Sequence, residues 1–341
     1  MFFLNPIIEN QSLSLINCFK DFNVFLDSAL GQYMFEYDIF MTALRHRMRT
    51  YDSMYKTQII PFLPFISANA GKCNGFDHKN RLTQFVKVVR QIPPTISVII
   101  TCTCVMQESL FHPYLKTLHE FKNLIQLTRQ NRRYPGSVTD RVIVVPYYSS
   151  DRNHTNCSNN GIVFWRGSVN VASRNATLVR HHIMRLRHEK FDFKASTRNK
   201  CKDTNDICIN GMGQGRNSSL KKVMRDNMMF SQYCLIPEGD SAGSSRLYDA
   251  IKSLCIPVIL SNRIPVMKTT VWRNTTIVLN PTQFLSMTSV DLISSLSKYE
   301  IGCKLRILLR SSTSAYKILQ DLDTYVEFLY KQNKSVFIKI G

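Results

Sequence analysis

Residues 233–262, YCLIPEGDSAGSSRLYDAIKSLCIPVILSN, pass from an apolar run through a Gly/Ser turn and a helical pattern into a second apolar run. That spacing can build an anion site. The first N–H groups of a helix have no intrahelical partner, and they face an anion placed at the helix start. Ser244 and Ser245 add hydroxyl donors, Gly243 lets the backbone approach closely, and Arg246 in the first turn can fork onto phosphate oxygens. A diphosphate fits such a turn, whose remaining members include Gly239, Asp240 and Ser241. Asp249, one turn further on, suits the hydroxyls of a ribose, and Glu238 closes the strand end. The simpler alternative is that Ser244 or Ser245 caps a helix and does nothing more.

The rest of the chain must position that turn. Tyr33, Phe40, Leu44 and Met48 fall at helical spacing, and TQIIPFLPF then ends in an apolar run closed by prolines. Leu82, Phe85, Val86 and Val89 mark a second helix, stopped by Pro93 and Pro94 before the β-branched strand TISVIITCTCV. LKTLHEFKNLIQL, residues 115–127, reads as a third helix. RVIVVPYY and GIVFWRGSV read as strands, and RNATLVRHHIMRLRHE, LKKVMRDNMM and AYKILQDLDTYVEFLYKQ as helices. Alternating helix and apolar strand predicts an α/β protein with mainly parallel sheets. The expected division is an N-terminal extension over 1–29, a first domain over 30–140, a second over 141–320 and a C-terminal helix and tail over 321–341. In open parallel sheets ligands bind beyond the carboxyl ends of the strands.

Among 341 residues, 44 Lys and Arg face 24 Asp and Glu, a net charge of +20 that suits a polyanionic or phosphate-bearing partner. The basic clusters, RHRMR, RQNRR and RHHIMRLRHEK, are short and read as solvated faces. No nucleic-acid motif surrounds them, so nucleic acid is not an expected partner. The ten cysteines match no paired zinc-ligand spacing. Cys234 and Cys255 lie in apolar runs and read as inert core thiols, whereas Cys201 and Cys208 flank a polar loop and are the disulfide candidates. GMGQG at 211–215 follows no strand and reads as a flexible loop.

Seven Asn-x-Ser/Thr acceptors, at Asn10, Asn153, Asn156, Asn175, Asn217, Asn274 and Asn333, lean toward a secretory compartment. Against this, MFFLNPIIENQSLSLINCFK lacks a basic segment followed by an unbroken apolar one, and the longest apolar stretch, ISVIITCTCVM, is too short to span a bilayer.

The opening stretch resembles the signature of exostosin-family glycosyltransferases, a Cys-Leu-x-Pro strand, Gly-Asp-Ser, a Ser-Arg-Leu-Phe/Tyr-Asp-Ala helix and a Gly-Cys-Ile-Pro-Val strand. The matching residues are Cys234, Leu235, Pro237, Gly239 to Ser241, Ser245 to Ala250 and Cys255 to Val258. Leu254 stands where the family usually has glycine. Tyr33, Glu36, Arg49, Thr50, Asp52 and Pro61 are similar to the family's N-terminal pattern, and Arg166 and Gly167 in IVFWRGSV to its Phe-x-Gly/Arg-Gly strand. The resemblance implies a GT-B fold, two Rossmann-like domains with mainly parallel sheets facing a central cleft. It further implies inverting transfer from a UDP- or GDP-sugar, held mainly by the second domain, to a polysaccharide or glycoprotein glycan. The family's members are usually anchored in the Golgi membrane with a lumenal catalytic domain, so this chain is expected to be an anchor-less or N-terminally incomplete form.

Inverting transfer needs a base for the acceptor hydroxyl and positive surroundings for the leaving diphosphate. Arg166 and Arg246 are expected to converge on that diphosphate. No base is assignable: Asp52, Glu36 and Asp77 are weak candidates, and the slot where many members carry Gly-Arg-Asp-His reads Ile99-Ile100-Thr101-Cys102. The alternative function is therefore a non-catalytic nucleotide-sugar- or glycan-binding partner in a hetero- or homo-oligomer with another glycosyltransferase. The one Asp-x-Asp pair, Asp321 and Asp323, falls off the apolar stripe of a helix, so neither metal nor other cofactor is expected.

Overall fold

The computed structural model describes residues 1–18, 35–47, 49, 50, 52–60, 67, 77–101, 121, 123–128, 142–144, 154–171, 173–195, 218–239, 244–264, 270–322, 324, 326, 327, 336 and 337. In chain order the first half runs β1 (Phe2–Leu4), α1 (Pro6–Ile16), α2 (Phe35–Arg45), β2 (Arg49–Thr50), β3 (Thr57–Ile60), α3 (His78–Gln91), β4 (Ser97–Thr101), β5 (Leu124–Thr128) and β6 (Val142–Val144). The second runs β7 (Val163–Gly167), α4 (Arg174–Arg185), β8 (Phe191–Ala195), α5 (Ser218–Met229), β9 (Tyr233–Pro237), α6 (Ser245–Lys252) and β10 (Ile256–Leu260). It continues through α7 (Thr270–Thr275), β11 (Ile277–Val278), α8 (Pro281–Phe284), α9 (Ser289–Ser297), α10 (Cys303–Ser312), α11 (Ala315–Gln320) and β12 (Val336–Phe337). Two compact units result: Met1–Leu26 with Gly31–Tyr148 and Ser314–Ile340, and Asp27–Leu30 with Ser149–Thr313. Each is an α/β unit around one parallel sheet. Among the described residues no helix is long and apolar enough to cross a membrane.

The first unit has the strand order β2-β1-β3-β4-β5-β6-β12, every described pairing being parallel. Helix α3 buries the stripe Leu82, Phe85, Val86 and Val89 that its 3.6-residue spacing requires. The expected extension over 1–29 is corrected, because Phe2 and Leu4 are buried sheet residues. Asn5 then caps α1 by accepting from Ile7 N at 3.2 Å, while its own N–H donates to Ile59 O. The chain end is corrected in the same way. Ile318, Leu319, Leu322 and Val326 are buried, His46 Nε2 lies 3.2 Å from Tyr316 O, and β12 pairs with β6. Residues 314–320 therefore belong to the first unit, as do the described residues that follow them. The helix expected over 115–127 is also corrected at its end. Leu124 and Ile125 sit in β5, registered with Val98 and Ile99 of β4, because the backbone beside buried Leu124, Ile125 and Leu127 is satisfied by pairing between two strands.

The second unit has the order β8-β7-β9-β10-β11, again parallel throughout. Alternation puts Val163, Trp165, Tyr233, Leu235 and Val258 on one face, packed with Val179 and Ile183 of α4. Among the described residues two disulfides brace this unit. Cys157 joins Cys303 with Cα atoms 5.6 Å apart, and Cys234 joins Cys255 at 5.9 Å. The reading of Cys234 and Cys255 as free core thiols is thereby corrected: β9 and β10 are neighbours, registered Tyr233 to Ile256, so a thiol on one strand meets the thiol entering the next. The expected pair Cys201 and Cys208 lies outside the described residues, as does GMGQG.

Leu254 ends α6 in the left-handed region, with φ 56°. Leu254 N donates to Ile251 O and Cys255 N to Ala250 O, the double closure that normally employs glycine. An L-residue here costs about 1–2 kcal/mol. The side chain is 1 % exposed, and losing a buried leucine costs about 2–5 kcal/mol, so burial outweighs strain and leucine is retained. Leu254→Gly and Leu254→Ala should therefore both destabilise, with the glycine variant the more stable by about 1 kcal/mol in urea unfolding. That reverses the usual helix order, and an alanine variant more stable than the glycine one would remove the strain account.

Candidate functional site

In chain order the second unit's strands lie 2-1-3-4-5, so successive connections leave β7 in opposite directions. The switch point of this doubly wound arrangement, where its ligands bind, falls between the carboxyl ends of β7 and β9. Four segments meet this edge: Gly167–Ser168 at the end of β7, Glu238–Gly239 after β9, Ser244–Arg246 opening α6, and Ser261–Ile264 after β10.

Ser244 occupies the N-cap position of α6, yet its side chain makes no capping hydrogen bond. The simple capping role is thus not what this serine performs. Arg246, in the first turn, is about one-third exposed, and its Nη1 donates to Asp249 Oδ2 at 2.7 Å. Asp249 is itself buried, so it orients the arginine from within the helix. Ser245 lies half-buried beside it. Asp240, Ser241 and Gly243 lie outside the described residues.

Arg166 has a different environment. It is buried on β7, with Nη2 3.3 Å from Asp192 Oδ2 and its guanidinium 5.4 Å from the Phe164 ring centre. Asn227 of α5, with its amide oxygen turned inward, accepts from Nη1 at 3.1 Å and from Nη2. Arg166 and Arg246 share no partner among the described residues, so the expected convergence is not formed through a common contact. Gly167 earns its place differently: a Cβ there would come within 3.3 Å of the Trp165 ring and 3.5 Å of Arg180 Nη1.

Sequence reasoning missed three residues at this edge. Arg180, buried on α4, donates from Nε to Glu238 O at 3.1 Å, from Nη2 to the same carbonyl, and from Nη1 to Ser168 O. Ser261 donates to Glu238 Oε1, and its Oγ accepts from Arg263 N at 2.9 Å and Ile264 N at 3.2 Å. Arg263 Nη1 lies 3.7 Å from Glu238 Oε2. The Glu238 carboxylate is consequently spent inside the protein, bracing the end of β9 against the end of β10. A signal for Arg180 was present, since it shares the buried stripe of Ala176, Val179 and Ile183.

In the first unit two of the weak base candidates, Asp77 and Asp52, are in structural use. Asp77 caps α3, accepting from Asn80 N at 2.8 Å, and Asp52 accepts from Met54 N at 2.9 Å within a turn. Nothing is described of the Glu36 side chain. Thr101 ends β4 where the resembled family often places its acidic motif. Asp321 Oδ1 pairs with Lys317 Nζ at 3.1 Å.

Comparison with known proteins adds the remaining facts. The probable arabinosyltransferase ARAD1 of Arabidopsis thaliana is 37 % identical over 59 residues, 17 % of this chain and 13 % of that protein's length. A glycosyltransferase structure from Rickettsia africae gives a TM-score of 0.40 at 9 % identity, covering 89 % of this chain and 96 % of the other. TarM of S. aureus, solved with UDP, gives 0.38 at 11 % identity over 72 % and 59 %. Scores of this size carry no detail across, and the fold rests on the two sheets themselves. The family description Exostosin GT47 domain, in contrast, matches residues 108–291, which take in β7 through α8 and every residue of the switch-point edge, and with more than half its length so matched the chain belongs to the exostosin GT47 family.

Proposed function

We propose that this chain is a glycosyltransferase that moves a sugar with inversion from a UDP- or GDP-sugar to a polysaccharide or glycoprotein glycan, without a metal ion. The observation that carries this reading is the opening of α6 at the switch point. A helix N-terminus without a side-chain cap lies beside a buried carboxylate that presents Arg246, in a family-matched stretch. Backbone N–H groups and a guanidinium do there what a cation does elsewhere: they stabilise the charge that develops on a leaving diphosphate.

A second reading is favoured by one observation. Asp52 and Asp77 are committed to a turn and a cap, and β4 ends in threonine. That suits a binding-only member paired with an active transferase. One experiment separates the two. Nucleotide sugars are screened for thermal stabilisation, since a native-state ligand at 100 times its Kd adds about 2.7 kcal/mol, and stabilising donors are then followed for release of nucleoside diphosphate. Stabilisation with slow release is the expected result; stabilisation without release would select the binding partner, and no stabilisation by any donor would reject both.

The compartment we propose is the Golgi lumen. The Cys157–Cys303 and Cys234–Cys255 disulfides suit an oxidising environment, and the described sequon residues Asn10, Asn156, Asn175 and Asn274 are all exposed. Peptide mapping of the secreted protein used for that screen should find them glycosylated; bare asparagines throughout would count against a lumenal protein.

A further inference from the structure

We infer that Arg180 is the positioning residue of the switch-point crevice, holding two backbone N–H groups, those of Val169 and Gly239, toward an oxyanion of the ligand. The inference rests on the proposed nucleotide-sugar reading and names the device that would make its diphosphate subsite.

Arginine carries five N–H donors in a rigid planar fork. Here the fork bridges two chain segments: Nη1 reaches Ser168 O, just past β7, while Nε and Nη2 both reach Glu238 O, just past β9. The two carbonyls flank the switch point, so one side chain sets the spacing of its two walls. Each bond also fixes a peptide plane. In a trans peptide the carbonyl and the following N–H point in opposite directions, and the described chain contains no cis bond. With Ser168 O and Glu238 O turned onto the guanidinium, the N–H groups of Val169 and Gly239 are turned away from it. Neither has a hydrogen-bond partner among the described residues.

The surroundings hold the fork in place. Arg180 is 8 % exposed on the buried stripe of α4. Gly167 packs beside it, where a Cβ would crowd the Trp165 ring at 3.3 Å and touch Nη1 at 3.5 Å. The Glu238 side chain, engaged by Ser261, prevents that peptide from rotating on its own. A surface ion pair needs none of this. The arrangement is that of a fixed pair of amide dipoles, effective toward an anion because they need no reorganisation when it arrives.

The test compares UDP and GDP with uridine and guanosine on the full-length protein. A mere loss of structure weakens nucleoside and nucleoside diphosphate alike, whereas misplaced amides weaken only the diphosphate. Arg180→Lys keeps charge and bulk but its ammonium cannot bridge both carbonyls in the same plane. Loss of one or two hydrogen bonds to a charged group predicts a diphosphate affinity lowered about 10- to 100-fold, with nucleoside affinity within about twofold of wild type. In Arg180→Ala, millimolar guanidinium should recover part of the loss. Should the alanine variant fail to fold, the lysine variant decides alone. Unchanged diphosphate affinity in Arg180→Lys, or equal losses for nucleoside and diphosphate, would overturn the inference while leaving the nucleotide-sugar reading intact. A wild-type protein with no preference for the diphosphate over the nucleoside would overturn that reading first and this inference with it.

Discussion

Arg246→Ala should lower donor turnover by about 10²-fold, in line with removal of one fixed donor from developing negative charge. Excess EDTA and the double change Asp321→Ala/Asp323→Ala should leave turnover near wild type. Arg246 stands in the first turn of α6, partly exposed, and the buried Asp249 holds its Nη1 at 2.7 Å. That contact limits the rotamers the guanidinium must give up on binding, which is the main entropic cost of engaging a flexible cation. Asp321, in contrast, already has a partner in Lys317 one turn earlier, and its helix packs within the first unit. Measured kcat and KM for donor, with and without chelator, check the prediction. Turnover that needs a divalent ion, is lost with the two aspartates and is indifferent to Arg246 would refute the metal-free site.

The strands that build the site were readable because they are buried on both faces. YCLIP and IPVIL are continuous apolar runs with every residue buried, the pattern expected of a central parallel strand. Strand β8 escaped notice for the opposite reason. FDFKA lies at the sheet edge and is half-exposed along its length, so nothing in its composition separates it from the polar segment that follows. The N-terminal strand was lost to its brevity. Three residues, Phe2–Leu4, give no period to read, and their pairing with β2 and β3 makes them part of a core.

The arginines of the site are less legible than its strands. RHHIMRLRHEK looks like a solvated basic face, and most of it is: His181, Arg185 and Arg187 are exposed. Charge counting alone cannot show that Arg180, next in line, turns inward to the carbonyls of two other segments, because those partners lie at Ser168 and Glu238. Arg166 shows the converse. Its place at a strand end suggested a ligand, yet alternation along β7 sends it to the face opposite Trp165, where Asp192 and Asn227 receive it. The cysteine pairs were closed to sequence reasoning in the same sense, since spacing does not encode which thiols meet.

The largest stability effect is expected at Arg306, on α10. The side chain is 3 % exposed, and it donates to Ile301 O at 3.0 Å, Ser158 O at 2.8 Å, Leu254 O at 3.4 Å and Asn159 Oδ1 at 2.8 Å. Burial lowers its pKa from the ordinary arginine value, but that value is high enough for the charge to persist. One guanidinium therefore joins α10 to the left-handed end of α6 and to the segment that leads into β7. Removing it strands several buried acceptors at once, each worth about 1–3 kcal/mol when unsatisfied, so after local relaxation Arg306→Ala should lose about 3–5 kcal/mol. Arg306→Lys, with three donors and no fork, should recover only part of this. The Cys157–Cys303 bridge fastens the same helix to the same segment, and its removal should cost about 2–4 kcal/mol. Because both act on one joint, the triple variant should lose less than the sum of the two effects, the mark of contacting rather than independent sites. Urea unfolding of wild type, Arg306→Ala, Cys157→Ser/Cys303→Ser and the combination measures all of these terms. An Arg306→Ala variant within 1 kcal/mol of wild type would mean that water reaches the stranded carbonyls, and that the disulfide alone holds α10 in place.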